Sequence, residues 1–278
     1  NVAESRIPAS PLSVGSVVAA LTAASLHIPA PVVLAVTDST NDEALTIAAA
    51  GAPAWSVVVA DQQRSGRGRL GRVWETPPGQ ALLFSTVLRP PAGWAASAWG
   101  WIPLIAGIAV GTAIAEHCPE ATLKWPNDVV IDGPAHDGTP GPRKLAGILA
   151  ERRGDAVVVG IGINVMHAQD MLPIPAATSI AIEGGRVTRE ALLASVLANW
   201  LPLWDRFVAG GGDAQATGIR ADYSAMSATL GRRVRVDVAG KELVGEATEI
   251  DLDGHVVIDG VFGRQSVSAG DITHLRPV

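Results

Sequence analysis

Residues Asp61–Trp74, DQQRSGRGRLGRVW, set three glycines and four arginines between two apolar runs, Trp55–Ala60 and Ala81–Leu88. Gly66, Gly68 and Gly71 satisfy G-x-G-x-x-G, the pattern by which a strand-to-helix turn brings backbone against a pyrophosphate. That reading needs a helix directly after the glycines. Here Trp74 is followed by ETPPGQ and then by a second strand-like run, and two prolines and a glycine start no such helix. A strand-to-strand loop remains, and a Rossmann unit is excluded at this place. Glycine permits close approach and positive φ, while Arg64, Arg67, Arg69 and Arg72 offer planar forks suited to phosphate or carboxylate oxygens. Such a loop can close over an anion; the competing reading is a solvated basic turn, and context has to decide between them.

The chain has 278 residues, 48% hydrophobic and 17% charged. Such a chain buries a real core, and a large domain with a small one is the natural division. The formal net charge of −6 counts against a nucleic-acid-binding surface, so the basic loop is a local feature. A single cysteine, Cys118, excludes an internal disulfide and a cysteine-based zinc site, and fits a reducing, cytoplasmic location. The six histidines show no metal-ligand spacing, so no structural metal is expected. The opening NVAESRIPASP lacks the basic and apolar regions of a secretory signal.

In chain order, residues 1–30 read as an N-terminal arm with one short helix, about Leu12–Leu26. Pro31–Val36 is a first strand. After it, Thr40 and Glu43 match a capping box, Gly51 ends the helix so begun, and Ser39, Thr40 and Asn41 either cap it or present polar groups to a ligand. The uncharged run Pro90–Ala115 raises the question of a membrane helix. Its early prolines and glycines, with Pro103, leave only Ile102–Ala115 continuous, which is too short to span a bilayer and reads as a buried helix. Ala121–Trp125 ends in Lys124-Trp125-Pro126-Asn127-Asp128 and is followed by apolar Val129–Ile131. A Gly-Pro-rich surface loop over Asp132–Arg143 then leads to Lys144 at the head of the strand Leu145–Glu151. Val157–Val165 is a buried strand whose Gly160 and Gly162 leave room for a ligand or crossing backbone. Thr178–Ile182 is a possible short element, Thr188–Ala209 an amphipathic helix with an aromatic core stripe, and Ala214–Ser224 a further helix. From Thr229 the texture changes to short alternating strands: Arg233–Val238, Leu243–Ile250, His255–Ile258 and Gly263–Val267, with turns at Ala239-Gly240 and Asp253-Gly254. The expected domains are 1–30 (arm), 31–226 (catalytic) and 227–278 (a small β-barrel).

DSTNDEA, QQRSGRGRLGRVW, KWPNDVV, KLAGILAE and GIGIN occur in this order ahead of the small β region, and this ordered set resembles the biotin protein ligases from about Val32 to the C-terminus. The resemblance implies an α+β fold: a mixed, largely antiparallel sheet flanked by helices, similar to class II aminoacyl-tRNA synthetases, with a C-terminal SH3-like barrel. It implies ATP-dependent activation of biotin as biotinyl-5′-adenylate, with Mg²⁺ accompanying the ATP, and transfer to a lysine of a biotin carboxyl carrier domain. Lys144, Arg67 and Arg69 would be catalytic. Ser39, Thr40, Asn41, Gln63, Gly66, Arg67, Lys144 and Gly147 would bind biotin. Arg67, Gly68, Arg69, Trp74, Lys124, Asn127, Asn164 and, from the small domain, Arg276 would serve ATP, with Trp74 near adenine and Asp128 a candidate beside the metal.

About 30 residues precede the catalytic pattern, so the resemblance is to monofunctional members without a DNA-binding domain. No DNA or membrane partner is expected, and the protein would be a monomer or weak homodimer. The alternatives are a lipoate-type ligase and a non-enzymatic nucleic-acid-binding module. GRGRLGR together with KWPND favours biotin, and the acidic balance disfavours the module.

Overall fold

The computed structural model describes residues 10–238, 241–268 and 270–275. Its main sheet has seven strands: β1 (Val32–Thr37), β2 (Val57–Gln63), β3 (Ala81–Leu88), β4 (Ala121–Lys124), β5 (Asp128–Ile131), β6 (Arg143–Arg153) and β7 (Ala156–Asn164), in the order β1-β2-β3-β7-β6-β5-β4. β1 runs parallel to β2 and every other neighbouring pair is antiparallel, the mixed sheet expected. β3 is buried along its whole length because helices cover both faces. On one face lie α3 (Ala96–Ala115) and α4 (Arg189–Ala209), joined by α1 (Val14–Ala23), whose Val17 and Leu21 enter the main core. On the other lies α2 (Thr40–Ala49), where Ala44 and Ala48 pack on Val58, Val87 and Val158.

The N-terminal segment is also tied in electrostatically. Arg189, 1% exposed, pairs with Asp61 at 2.7 Å and donates to Ser10 O at 2.7 Å, while Leu12 N–H lies 3.1 Å from both Asp61 carboxylate oxygens. Breaking a buried pair of this kind typically costs about 3–5 kcal/mol, because the surviving charge stays buried. Asp61 thereby holds the base of the glycine–arginine loop.

Four local expectations are corrected. α3 starts at Ala96 rather than Ile102, with Gly100 and Pro103 inside it. Tertiary packing overrides propensity here: a Cβ on Gly100 would lie 2.0 Å from Asp253 O, so the helix presses directly on a turn of the second sheet. This helix is long and apolar enough to cross a membrane, yet 72% of its apolar 18-residue stretch is buried in the fold. The capping box of Thr40 and Glu43 does not form. Ser39 is the N-cap, without a side-chain cap bond, and Glu43 instead accepts from Thr37 Oγ1 at 2.8 Å. The helix expected over Ala214–Ser224 is α5, Ile219–Met226, and residues 178–182 form turns rather than a regular element.

The second sheet contains β8 (Arg233–Val238), β9 (Lys241–Ile250), β10 (Val256–Gly260), β11 (Gly263–Val267) and β12 (Asp271–His274), antiparallel in the order β11-β10-β9-β8-β12. The Asp253-Gly254 turn forms with Gly254 at φ +80°; Ala239-Gly240 lies outside the described residues. β12, four residues long, escaped the sequence reading because so short a run shows no measurable alternation. Two indoles secure this sheet to the larger one: Trp101 Nε1 donates to Leu252 O at 2.8 Å and Trp125 Nε1 to Gly254 O at 3.0 Å.

Gly100→Ala forces a methyl group into the Asp253 backbone. The expected loss is about 1–3 kcal/mol, the cost of overpacking, read as a lower urea midpoint. An unchanged midpoint would show that α3 and the turn do not press together.

Candidate active site

A cavity of about 440 Å³ opens on the α2 side of the main sheet, above a patch where β6 and β7 carry no side chains. Strand alternation turns Val157, Val159, Ile161 and Ile163 into the main core and leaves Gly160 and Gly162 on the cavity face. Gly147 pairs directly with Gly162 across the strands. What fills the missing volume defines the site. A Cβ on Gly160 would lie 2.0 Å from Asn41 Oδ1, one on Gly162 would lie 2.7 Å from the Trp74 indole, and one on Gly147 would lie 3.1 Å from both Trp74 and Lys144 Nζ. The Trp74 ring thus rests on the Gly147–Gly162 saddle, with the Lys144 ammonium 5.5 Å from its centroid.

Lys144 and Gly147 are three residues apart, so a regular strand would aim them at opposite faces. A bulge resolves this. The β5–β6 register pairs Asp128 with Gly147 and Val129 with Ala146, then jumps to Val130 with Lys144, which leaves Leu145 as the extra residue. Lys144 is thereby re-aimed into the cavity, where its Nζ meets Asp128 at 2.6 Å.

The start of α2 supplies Ser39, Thr40 and Asn41, all buried. Gln63 Oε1 accepts from Thr40 N at 2.8 Å and from Thr40 Oγ1 at 3.0 Å, doing the work of a missing cap. Ser85 Oγ lies 2.7 Å from Thr40 Oγ1 and 2.6 Å from Asn41 Oδ1. Ser85 was missed by the sequence reading; its only signal was a hydroxyl inside the apolar run ALLFSTVL, a residue that needs a buried partner.

The glycine–arginine loop folds back on itself. Trp74 N donates to Gly66 O at 2.8 Å, Gly68 N to Arg72 O at 2.7 Å, and Arg67 bridges to Val73 across the loop. Gly66 does not line the cavity. A Cβ there would lie 2.4 Å from Trp74 O, so Gly66 is needed to close the loop and bring Trp74 over the saddle. Leu70 (φ +57°) and Gly71 (φ +73°) make its left-handed tip. Arg67 pairs with Asp42 through two bonds of 2.7 Å and approaches Glu151 at 3.3 Å. The Arg67 fork holds the Asp42 carboxyl below the usual carboxylate range, and these acids push the guanidinium pKa up. Arg69 Nη1 reaches Asn127 Oδ1 at 3.4 Å.

Gly68, Arg72, Lys124 and Asn127 also line the cavity, with Gly270 and, from β12 of the second sheet, Ile272 and Thr273. Asn127 Nδ2 donates to Ile148 O and Asn164 Nδ2 to Thr178 O, both at 2.9 Å. Arg276 lies outside the described residues. Every other site residue read from the sequence, Gly66 and Arg64 excepted, lines this one cavity, and Pro142 brings the end of the Gly-Pro-rich loop to its rim. Among the described residues, a group able to hold a metal occurs at Asp251, Asp253 and His255, in the turn of the second sheet.

Buried His167 and half-buried His274 are kept neutral. Burial, then the charges of Lys124 and Arg232, push His274 down to about 4, and burial pushes His167 down to about 4. His274 Nε2 lies 3.3 Å from Thr229 Oγ1, which accepts from Trp125 N at 3.1 Å, so the histidine stands behind the KWPND segment. Folded values below the ordinary 6.5 mean that this stabilisation is complete above about pH 6.5 and is lost as pH falls through about 4. A chemical-denaturation midpoint that drops between those limits, with a shallower drop for the His167→Asn/His274→Asn double variant, is expected; identical profiles would refute the assignment.

Residues 33–166 match the model of the biotin/lipoate A/B protein ligase family. The chain is 39% identical to the biotin–[acetyl-CoA-carboxylase] ligase of Mycobacterium tuberculosis, with 88% of each chain covered. It is 35% identical to that of Paracoccus denitrificans, covering 86% of this chain and 98% of the other. Among solved structures, the Aquifex aeolicus biotin protein ligase in complex with biotin and ATP is similar at 26% identity and TM-score 0.71, over 89% of this chain and 99% of that one.

Proposed function

The chain belongs to the biotin/lipoate A/B protein ligase family, and from that premise we propose that its cavity joins biotin to ATP as biotinyl-5′-adenylate and then hands the biotinyl group to a lysine of a biotin carboxyl carrier domain. The protein is an ATP-dependent ligase of the biotin–[acetyl-CoA-carboxylase] type, forming a carbon–nitrogen bond. The observation that carries the reading is the convergence of Arg67, Arg69, Arg72, Lys124 and Lys144 on one cavity with a side-chain-free floor.

The reaction brings two anions together. A carboxylate oxygen attacks the α-phosphorus of ATP, pyrophosphate leaves, and the amine of the acceptor lysine later displaces AMP at the acyl carbon. Cations placed at that junction offset the repulsion and the charge that develops there. Lys144 is the proposed centre of this effect, because the bulge aims it over the saddle. Ser39, Thr40, Asn41 and Gln63 form the polar end that takes the biotin ring, and Gly147 leaves room for it. Gly66, Gly68 and Arg69 form the lid at the carboxylate–phosphate junction. Arg67, pinned by Asp42 and Glu151, holds that lid down. Lys124, Asn127 and Asn164 serve the nucleotide, with Trp74 between the two ends. Mg²⁺ would come with the ATP phosphates, and Asp128, paired with Lys144 at 2.6 Å, is the proposed acid beside it.

The carrier domain is the acceptor, in keeping with the acetyl-CoA-carboxylase specificity in the relatives' names. A DNA partner is not proposed for a chain of net charge −6, and a monomer or weak homodimer in the cytoplasm is. The proposed division is an arm, 1–30, a catalytic unit, 31–226, and a small β domain, 227–278, and the presence of two separate sheets supports it.

With ATP and Mg²⁺, the protein should exchange pyrophosphate into ATP when biotin is present and label a carrier domain; exchange with lipoate in place of biotin would sink the reading. Lys144→Ala should remain folded by circular dichroism and slow exchange by about 10²–10³-fold, the usual cost of one charge-stabilising donor. Wild-type rates would remove Lys144 from the chemistry. For Arg69→Ala, faster escape of the adenylate is expected, seen as labelling of bystander proteins; retention equal to wild type would count against a lid.

A further inference from the structure

Glu151 lies on β6 four residues beyond Gly147, on the same side of the strand as Gly147 and Leu149, and its carboxylate meets both Asn41 of α2 and Arg67 of the glycine–arginine loop. Its Oε2 accepts from Asn41 Nδ2 at 2.6 Å, and its two oxygens lie 3.5 and 3.3 Å from Arg67 Nη2. Asn41 is buried, and its amide has two ways of lying that differ only in the exchange of oxygen and nitrogen. The partners choose. Glu151 and the carbonyl of Leu149, 3.4 Å away, can only accept, so the NH₂ group must face them. The amide oxygen is then left to Ser85 Oγ at 2.6 Å, over Gly160. Of the two acceptors, the short charged one is the stronger.

We propose that Glu151 is a positioning residue that sets the orientation of Asn41 for the biotin ring and, through the same carboxylate, anchors the lid by way of Arg67. The inference rests on the functional reading above, in which Asn41 meets the ring and Arg67 belongs to the lid. One group thus links recognition at the ring end to closure at the anion end. Asp42 provides an internal comparison, since its carboxylate binds Arg67 but makes no bond to Asn41.

Glutamine at 151 can still accept from the Asn41 amide but carries no charge for Arg67, whereas alanine serves neither. Glu151→Ala should therefore raise the KM for biotin in pyrophosphate exchange by at least about tenfold, the worth of a charge-assisted hydrogen bond, and also speed adenylate release. Glu151→Gln should speed release while raising that KM much less. Asp42→Asn should speed release and leave the KM for biotin within about twofold. The KM for ATP, measured in parallel, should move little in all three. The inference is overturned if the Glu151 variants keep wild-type KM and release rates. It is also overturned if KM for biotin and ATP rise together with a lower unfolding midpoint, the signature of a merely structural ion pair. Failure of the functional reading is distinguishable, because wild-type protein would then show no biotin-dependent exchange at all.

Discussion

A sheet covered on both faces leaves no room for a ligand unless side chains are missing, since strands lie only about 4.7–4.9 Å apart and packed layers about 10 Å apart. Gly147, Gly160 and Gly162 supply that room at the centre of the main sheet, at the point where β6 and β7 pair. Most of what surrounds the site answers to this patch. Asn41 lowers its amide onto Gly160, Trp74 lays its indole over Gly147 and Gly162, and the bulge at Leu145 turns Lys144 toward the same floor. Any side chain at these three positions would have to displace one of those groups.

Charge in the site is arranged as pairs. Lys144 faces Asp128, Arg67 faces Asp42 and Glu151, and deeper in the fold Arg189 faces Asp61. A chain with net charge −6 can therefore place Lys144 and Arg67 at one cavity with an acid facing each, and in every pair the acid comes from a different element than the base. The pairs also tie segments together: Asp61 binds the foot of the loop to α4 and to the N-terminal segment, and Glu151 binds its arginine to α2. A loop rich in glycine would otherwise have few contacts to hold it.

The second sheet completes the cavity. Trp101 and Trp125 hydrogen-bond its turn at Leu252 and Gly254, and β12 brings Ile272 and Thr273 to the rim. Trp125 thus has a structural task within KWPND, although it lines the cavity together with Lys124, Pro126, Asn127 and Asp128. The neutral His274 behind this segment keeps a buried hydrogen-bond chain from Thr229 to the Trp125 backbone.

Much of this was legible in the residues. The order of strands and helices and the exclusion of a Rossmann turn at Gly66–Gly71 follow from local pattern, because period-two alternation and proline–glycine punctuation are written along the chain, while the gathering of Lys124, Lys144, Arg67 and Arg69 in one site was implied by the family resemblance. Contacts between distant residues are not written there. No spacing shows that Ser85 lies under Asn41, that Glu151 reaches both Asn41 and Arg67, or that Gly100 stays helical because Asp253 presses on it. The same limit explains the capping box that did not form, since Gln63, 23 residues away, took the N–H that a local cap would have served. By itself the sequence determined the elements, the chemistry available and the family resemblance; tertiary structure alone decided which face Lys144 occupies and which acid each base meets, because a one-residue bulge and side-chain partners far apart in the chain exist only once the sheets are packed.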